Sequence, residues 1–148
     1  MSEADNHWLS RHARWLQRSG VTLFLLGLLN GFVVHQPVLP RVVLEAHVIA
    51  LMSGIFLIAI GIVWSRLRFG RALSRVGVGA ALYGFTAGWL VYLVAGITGT
   101  GGMFPLAAGG VRGSALYEGL VSMALASAAL AMIGLCVLLL WGLRGRAP

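Results

Sequence analysis

Glutamate and histidine side chains interrupt an otherwise apolar chain. The stretch LEAHVIALMSG (44–54) places Glu45 and His47 at the head of an apolar run, although 59% of the 148 residues are hydrophobic and only 10% are charged. The chain has four acidic residues, and two of them lie among its first five residues. A charged side chain in a bilayer costs about 2.5–3.5 kcal/mol on insertion scales. The other two, Glu45 and Glu118, are therefore candidates for a functional site.

His47 is the strongest candidate for chemistry, because no charge nearby in the sequence explains an imidazole there. Imidazole is a poor core residue, and the ordinary explanation for it is a hydrogen bond between helices. The two carboxylates also have ordinary roles open to them. Glu45 can pair with Arg41 at a helix start, and Glu118 can pair with Arg112.

Four apolar segments have to position these side chains. A helix needs about 20 apolar residues to cross a bilayer, and in lipid the backbone polar groups must be satisfied within their own segment. The segments are 20–35, extended backwards by Trp15 and Leu16, then 42–64, 76–97 and 115–141. The predicted fold is an all-α integral membrane four-helix bundle. Residues 20–144 form this domain, and residues 1–19 form a cytoplasmic or interfacial arm.

The arginines predict the orientation of the bundle. All eleven basic residues are arginine, which gives a formal net charge of +7. Nine of them precede the first segment, follow the fourth, or separate the second from the third, and only Arg41 and Arg112 lie on the other side. The positive-inside rule then places both termini in the cytoplasm, as expected for a bacterial inner-membrane protein. The arginines mark loops and form no continuous patch, which argues against nucleic-acid binding.

Polar residues from all four segments share one depth near the outer ends of the predicted helices. These are Asn30, Glu45, His47, Tyr92, Tyr117 and Glu118. The two tyrosines can equally be interfacial aromatics, and Asn30 can form a hydrogen bond between helices. The glycine-rich stretch 98–114 follows the third segment and is predicted to fold back as a cover over this polar layer.

Glu45 and His47 are two residues apart, so at about 100° per residue they face nearly opposite sides of a helix. Either one of them faces lipid headgroups, or the helix lies between its own bundle and a neighbouring subunit. Small residues every fourth position allow helices to approach closely, and Ala46, Ala50 and Gly54 form such a stripe. This pattern favours the second arrangement and a homo-oligomer.

Four stretches of the chain resemble the hydroxylaminobenzene mutase family, and the similarity runs from about residue 20 to 144. They are FLLGLLNGFVV (24–34), LEAHVIALMSGIFL (44–57), ALYGFTAGWL (81–90) and GSALYEGL (113–120). That family is related to the membrane-bound styrene oxide isomerases, which are four-helix proteins that assemble as trimers and hold haem b at subunit interfaces. The resemblance implies a homotrimer in which His47 is the iron ligand. It further implies that Glu45, Gly54 and Trp89 lie beside the haem.

The same resemblance implies a haem-dependent isomerase that rearranges a small apolar aromatic substrate, an arylhydroxylamine, to an aminophenol. Tyr92, Tyr117, Glu118 and Ser53 are the candidates for moving protons or stabilising a developing cation. The sequence departs from the family pattern at two asparagines. Ser53 stands where one is expected, six residues after the histidine, and Gly88 replaces another in the third segment.

Other functions stay open on the sequence. An aryl-epoxide isomerase would use the same haem. A small b-type electron-transfer protein would need a second axial ligand, and His35 is the other histidine on the outer side. A structural or transport subunit would need no cofactor.

Overall fold

The computed structural model describes residues 3–67 and 70–144, with side chains from residue 7 onward. Its elements are five helices, and these described residues contain no strand. In chain order the helices are α1 (Glu3–Gly31), α2 (Pro40–Trp64), α3 (Arg71–Thr98), the short α4 (Pro105–Ala108) and α5 (Ala115–Gly142). The prediction of an all-α protein is confirmed.

Local sequence explains where the helices begin and end. Pro40 occupies the first turn of α2, where its missing N–H would have no helical partner in any case. The Ser114 side chain caps α5 by accepting a hydrogen bond from the Tyr117 N–H at 3.5 Å. Gly99 ends α3 with φ +73°, a left-handed conformation that favours glycine. The predicted bounds of the second, third and fourth segments thus lie within a few residues of the observed helices.

Three of the described helices, α2, α3 and α5, are long and apolar enough to cross a membrane. The sequence predicted four crossings, with the first at 20–35. In the structure α1 ends earlier, at Gly31, and its N-terminal half carries arginines. These arginines keep α1 below the apolarity of the other three long helices.

The long helices α1, α2 and α3 contact one another, and α5 joins them through α3. α1 packs along α2, α2 packs against α3, and α3 packs against α5, while α1 also touches α3. Among the described residues, the backbone of α5 comes close to no long helix other than α3. One chain by itself therefore leaves wide apolar flanks uncovered, most of all on α5, where Leu130, Ile133, Val137 and Leu140 are all exposed.

Glycines bring α1 and α2 into close contact. A Cβ built on Gly20 would lie 2.6 Å from the carbonyl oxygen of Gly54, and one on Gly27 would lie 2.8 Å from the Cβ of Ala50. The predicted stripe of Ala46, Ala50 and Gly54 is buried, and Ala50 and Gly54 meet α1 of the same chain. The stripe is used within the chain, so it carries no information about the oligomeric state.

The N-terminal arm continues into the first apolar segment without a break. Leu9 and Leu16 are buried, and a Cβ on Gly61 of α2 would meet the Gln17 side chain and the Ala13 carbonyl. The described part of the arm, residues 3–19, is thus the first half of α1 and packs along the C-terminal half of α2. Its separation from residues 20–144 as a distinct unit stays a prediction.

A polar contact ties this arm to the turn between α2 and α3. The Trp64 Nε1–H donates to the Ser74 Oγ at 2.9 Å, and the Ser74 hydroxyl shares a second hydrogen bond of 2.9 Å with the His12 Nδ1. Burial lowers the pKa of His12, and the guanidinium groups of Arg75, Arg11 and Arg71 lower it further. The neutral imidazole is therefore favoured at this junction.

Candidate active site

His47 lies on the flank of α2 that faces α1. Its Nδ1 is 2.7 Å from the carbonyl oxygen of Gly27. A carbonyl oxygen can only accept a hydrogen bond, so Nδ1 carries a proton, and in the neutral imidazole Nε2 then keeps its lone pair. In the part of the chain that the structure describes, Nε2 has no hydrogen-bond partner. This is the arrangement found for metal-ligating histidines, whose other ring N–H binds a carbonyl or carboxylate.

Two glycines of α1 make room for this imidazole. A Cβ on Gly31 would lie 3.0 Å from the Cε1 and 3.1 Å from the Nδ1 of His47. Gly27, one turn earlier, supplies the carbonyl. Sequence reasoning missed both residues, although their four-residue spacing in GLLNG was the available signal.

Asn30 lies between these two glycines and is 5% exposed. Its Nδ2 donates to the Val43 carbonyl at 3.4 Å, so the predicted hydrogen bond between helices is present. Its Oδ1 is buried, and none of the described residues donates to it. A buried acceptor without a partner costs about 1–3 kcal/mol, so this atom is a free polar group one turn from the Gly27 carbonyl that accepts the hydrogen bond from His47.

Glu45 lies on the opposite flank of α2, as the helical spacing predicted. It is exposed and lines a depression with Leu44, Val48, Ile49 and Tyr92. Within the described ranges no hydrogen bond or ion pair joins it to Arg41. Glu45 and Tyr92 are therefore brought together, while His47 is kept away from both.

Ser53 lies farther along the same flank as Glu45. It is 7% exposed and lines a groove of about 320 Å³ whose other walls are Met52, Phe56 and Phe85 on one side and Met132 and Cys136 on the other. Ile49 borders both this groove and the Glu45 depression. The phenyl rings of Phe56 and Phe85 are tilted at 54° with centroids 5.4 Å apart. Glu45, Ile49 and Ser53 thus mark one continuous apolar surface, which we call the α2–α3 flank.

Tyr92 connects this flank to the loop between α3 and α5 (residues 99–114), which we call the α3–α5 loop. The Tyr92 ring is half-buried and packs against the Phe104 ring with centroids 4.6 Å apart. Phe104 immediately precedes α4 and is 7% exposed. The loop thereby covers one side of the tyrosine.

Glu118 binds the α3–α5 loop. Its two carboxylate oxygens accept hydrogen bonds from the Gly102 N–H at 3.0 and 3.1 Å, and Oε1 accepts another from the Gly113 N–H at 2.7 Å. Its partners are thus backbone amides, and the described residues show no ion pair with Arg112. A half-buried carboxylate is stabilised by such bonds.

The remaining predicted site residues lie elsewhere. Tyr117 is 54% exposed and lines an apolar cleft between α3 and α5. Trp89 is 7% exposed, and its buried Nε1 has no partner among the described residues. It lines a groove between α3 and α1 together with Arg18 and Thr22. His35 is exposed in the turn after α1. One chain therefore does not gather all the predicted residues into one pocket.

Metal-binding groups are sparse. The described residues contain no cluster of three or more histidine, cysteine, aspartate or glutamate side chains. The lone Cys136 is exposed. A metal held at His47 would therefore need most of its ligands from outside the described side chains.

Comparison with known proteins identifies the family to which this chain belongs. Residues 12–144 match the sequence profile of the family described as styrene oxide isomerase. The hydroxylaminobenzene mutase HabB of Ectopseudomonas oleovorans is 47% identical over 133 residues, which cover 89% of this chain and 81% of that protein. The hydroxylaminobenzene mutase HabA of the same organism is 34% identical over 130 residues, which cover 87% of this chain and 96% of that protein. No solved structure matches the chain significantly. The matched region includes α2, α3 and α5 in full and α1 from residue 12 onward, and on this evidence the chain is an isomerase that belongs to the styrene oxide isomerase family.

Proposed function

We propose that this protein is a haem-dependent membrane mutase that rearranges arylhydroxylamines to aminophenols. The substrate class is taken from the names of two relatives, one of which is 47% identical over 89% of this chain. The structural observation that supports His47 as the iron ligand is the hydrogen bond between its Nδ1 and the Gly27 carbonyl. It leaves one oriented nitrogen lone pair on the flank of α2 that faces α1.

The residues around His47 fit a haem. A porphyrin supplies four nitrogen ligands of its own, so one protein donor is enough to hold its iron. His47 offers that donor at Nε2, and the close approach of Gly31 leaves no side chain against the ring on that side. When bound, a haem with a single protein ligand supplies an open coordination position that acts as a Lewis acid toward the substrate.

The α2–α3 flank fits the aromatic substrate. In the rearrangement the N–O bond breaks, a C–O bond forms on the ring, and a ring proton is lost while the nitrogen gains one. Phe56 and Phe85 offer aromatic surface for the substrate ring. The Ser53 hydroxyl, which has no hydrogen bond to any described residue, can bind the polar group of the substrate. Glu45 and Tyr92, at the end of the same flank, can accept and return the proton.

The site is complete only between two subunits. His47 faces α1, whereas Glu45, Ser53 and Tyr92 lie on the opposite flank of α2. For the iron ligand and these side chains to serve one substrate, His47 of one subunit has to meet the α2–α3 flank of another. We therefore propose a homo-oligomer, and the related trimeric isomerases favour a trimer.

We also propose that α1 is the fourth membrane crossing. It runs along the whole of α2, and its N-terminal arginines fit the cytoplasmic side of a bacterial inner membrane. Four crossings place both termini on one side, and the arginines favour the cytoplasm as that side.

The proposal is tested with detergent-purified, haem-loaded protein and phenylhydroxylamine under anaerobic conditions. Aminophenol is measured by chromatography against a control of free haem at equal concentration. We expect product from the wild type and none above the control from His47→Ala. Wild-type protein that forms no product above free haem would overturn the mutase assignment.

An aryl-epoxide isomerase is the second candidate, because the family profile that matches residues 12–144 carries that activity in its name. The same assay with styrene oxide separates the two. Phenylacetaldehyde without aminophenol would favour the epoxide reaction.

A further inference from the structure

We propose that Glu118 is a positioning residue that fastens the α3–α5 loop and thereby sets the position of Tyr92. This inference rests on the proposed function, since it assigns a role within that site. It replaces the expectation that Glu118 handles protons itself.

The Glu118 carboxylate joins the two ends of the α3–α5 loop. Gly102 lies near the start of the loop and Gly113 near its end, and the same side chain accepts hydrogen bonds from both backbone N–H groups. The fit is tight, because a Cβ on Gly102 would collide with the carboxylate. Ionised oxygens accept stronger hydrogen bonds than neutral ones, so a carboxylate suits this place better than an amide.

The fastened loop reaches Tyr92 through Phe104. Phe104 follows Gly102 by two residues, and its N–H donates to the Gly101 carbonyl at 2.9 Å. Its ring packs on Tyr92 at 4.6 Å and belongs to a buried cluster with Leu39, Val42, Ala95, Ala108 and Val121. Release of Gly102 would therefore loosen the segment that carries Phe104 and shift the ring that packs against Tyr92.

The surroundings of Glu118 argue against a direct catalytic role. Its oxygens already accept three hydrogen-bond contacts from backbone amides. Glu118 lines neither the Glu45 depression nor the Ser53 groove. Tyr92 borders the first of these, so it is the residue through which Glu118 would act.

The test uses full-length protein labelled with 3-fluorotyrosine, in which the Tyr92 resonance is assigned by its loss in Tyr92→Phe. In Glu118→Gln the amide group keeps the size of the carboxylate but offers one acceptor oxygen. We expect the Tyr92 ¹⁹F resonance to shift, kcat to fall by about tenfold, and KM and the haem absorption band to change little. Arg112→Gln, a change at an exposed position of the same loop, is the matched control and should leave all four quantities unchanged.

Phe104→Leu provides a second route, because it removes the ring from Tyr92 while Glu118 stays intact. It should shift the same resonance, and its effect on kcat should not add to that of Glu118→Gln, as expected for residues that act through one contact. A fall in kcat without a shift of the Tyr92 resonance, or additive effects, would show that Glu118 acts directly and would overturn the proposal. An unshifted resonance with unchanged kcat would overturn it as well. If the wild type lacked mutase activity, the proposed function would fail, while the ¹⁹F measurement would still decide whether Glu118 positions Tyr92.

Discussion

The Nδ1 of His47 on α2 lies 2.7 Å from the carbonyl oxygen of Gly27 on α1. This one contact places a proton on Nδ1, which in the neutral imidazole leaves the lone pair to Nε2. It also fixes the imidazole against α1, on the side of α2 away from the α2–α3 flank, so it bears on both the cofactor and the subunit arrangement.

Removal of the imidazole should abolish haem binding. We expect His47→Ala to be purified without a Soret band, because His47 supplies the imidazole that lies against Gly27 and Gly31. His35→Ala is the matched control, since His35 is exposed in the turn after α1, and it should keep full haem content. A His47→Ala protein with the wild-type Soret absorbance would show that the ligand lies elsewhere.

A methyl group on α1 should disturb the same ligand. The Cβ of Gly31→Ala would lie 3.0 Å from the His47 Cε1, so the imidazole would have to move. Changes to the partners that orient a ligand typically cost 10- to 100-fold in metal affinity, and we expect a loss of about that size in haem titrations. Gly79→Ala is the control, because a Cβ there meets nothing within 4 Å. Equal haem affinity in the two variants would contradict the proposal that Gly31 makes room for the His47 imidazole.

Restoration of the two family asparagines should raise the mutase rate. Ser53 borders the aromatic groove, and a Cβ on Gly88 meets nothing within 4 Å, so both positions can hold an amide. A hydrogen bond to a charged group contributes about 1.5–3 kcal/mol, which corresponds to roughly ten- to a hundredfold in rate. We expect a gain in that range for Ser53→Asn with Gly88→Asn, measured as aminophenol formed per haem. Activity confined to the double variant would mean that the natural protein has given up the family reaction.

The termini should be cytoplasmic. A reporter that is active only in the periplasm should stay inactive when fused after Pro148, and one that fluoresces only in the cytoplasm should be bright. The reason is the asymmetry of the arginines, with nine of eleven on one side. The reverse pattern would invert the topology.

Acid should weaken the junction between the arm and α3. The pKa of His12 is lowered by burial and by Arg75, Arg11 and Arg71 from an ordinary value of 6.5, so the unfolded chain binds this proton more readily than the folded one. Stability is then fully present above pH 6.5 and declines as the pH falls through that value. Thermal midpoints of the wild type should drop on acidification, and those of His12→Asn should drop less. If the thermal midpoints of the two proteins fell equally with pH, His12 would not be the cause of the acid sensitivity.

The sequence predicted the helices better than their arrangement. Apolar runs mark α2, α3 and α5 because lipid exposure demands continuous apolarity, and helical spacing alone separates Glu45 from His47. The packing of the helices could not be predicted, since in the sequence an apolar face that contacts another helix looks the same as one that contacts lipid. The hydrogen-bond partners of Glu118 could not be predicted either. Its partners are backbone amides of Gly102 and Gly113, and a pattern of side chains suggested Arg112 instead.

The contact between His47 and Gly27 also has a consequence for biogenesis. Its two residues, and Gly31 beside them, lie within the first third of a chain of 148 residues. Chains are synthesised from the N-terminus, and early segments can fold before later ones exist. The nitrogen donor can therefore be oriented by α1 and α2 while α5 is still being translated. Ser53 and Tyr92 acquire their neighbours Met132 and Phe104 only later, so the contact that orients His47 can form before the groove beside Ser53 is complete.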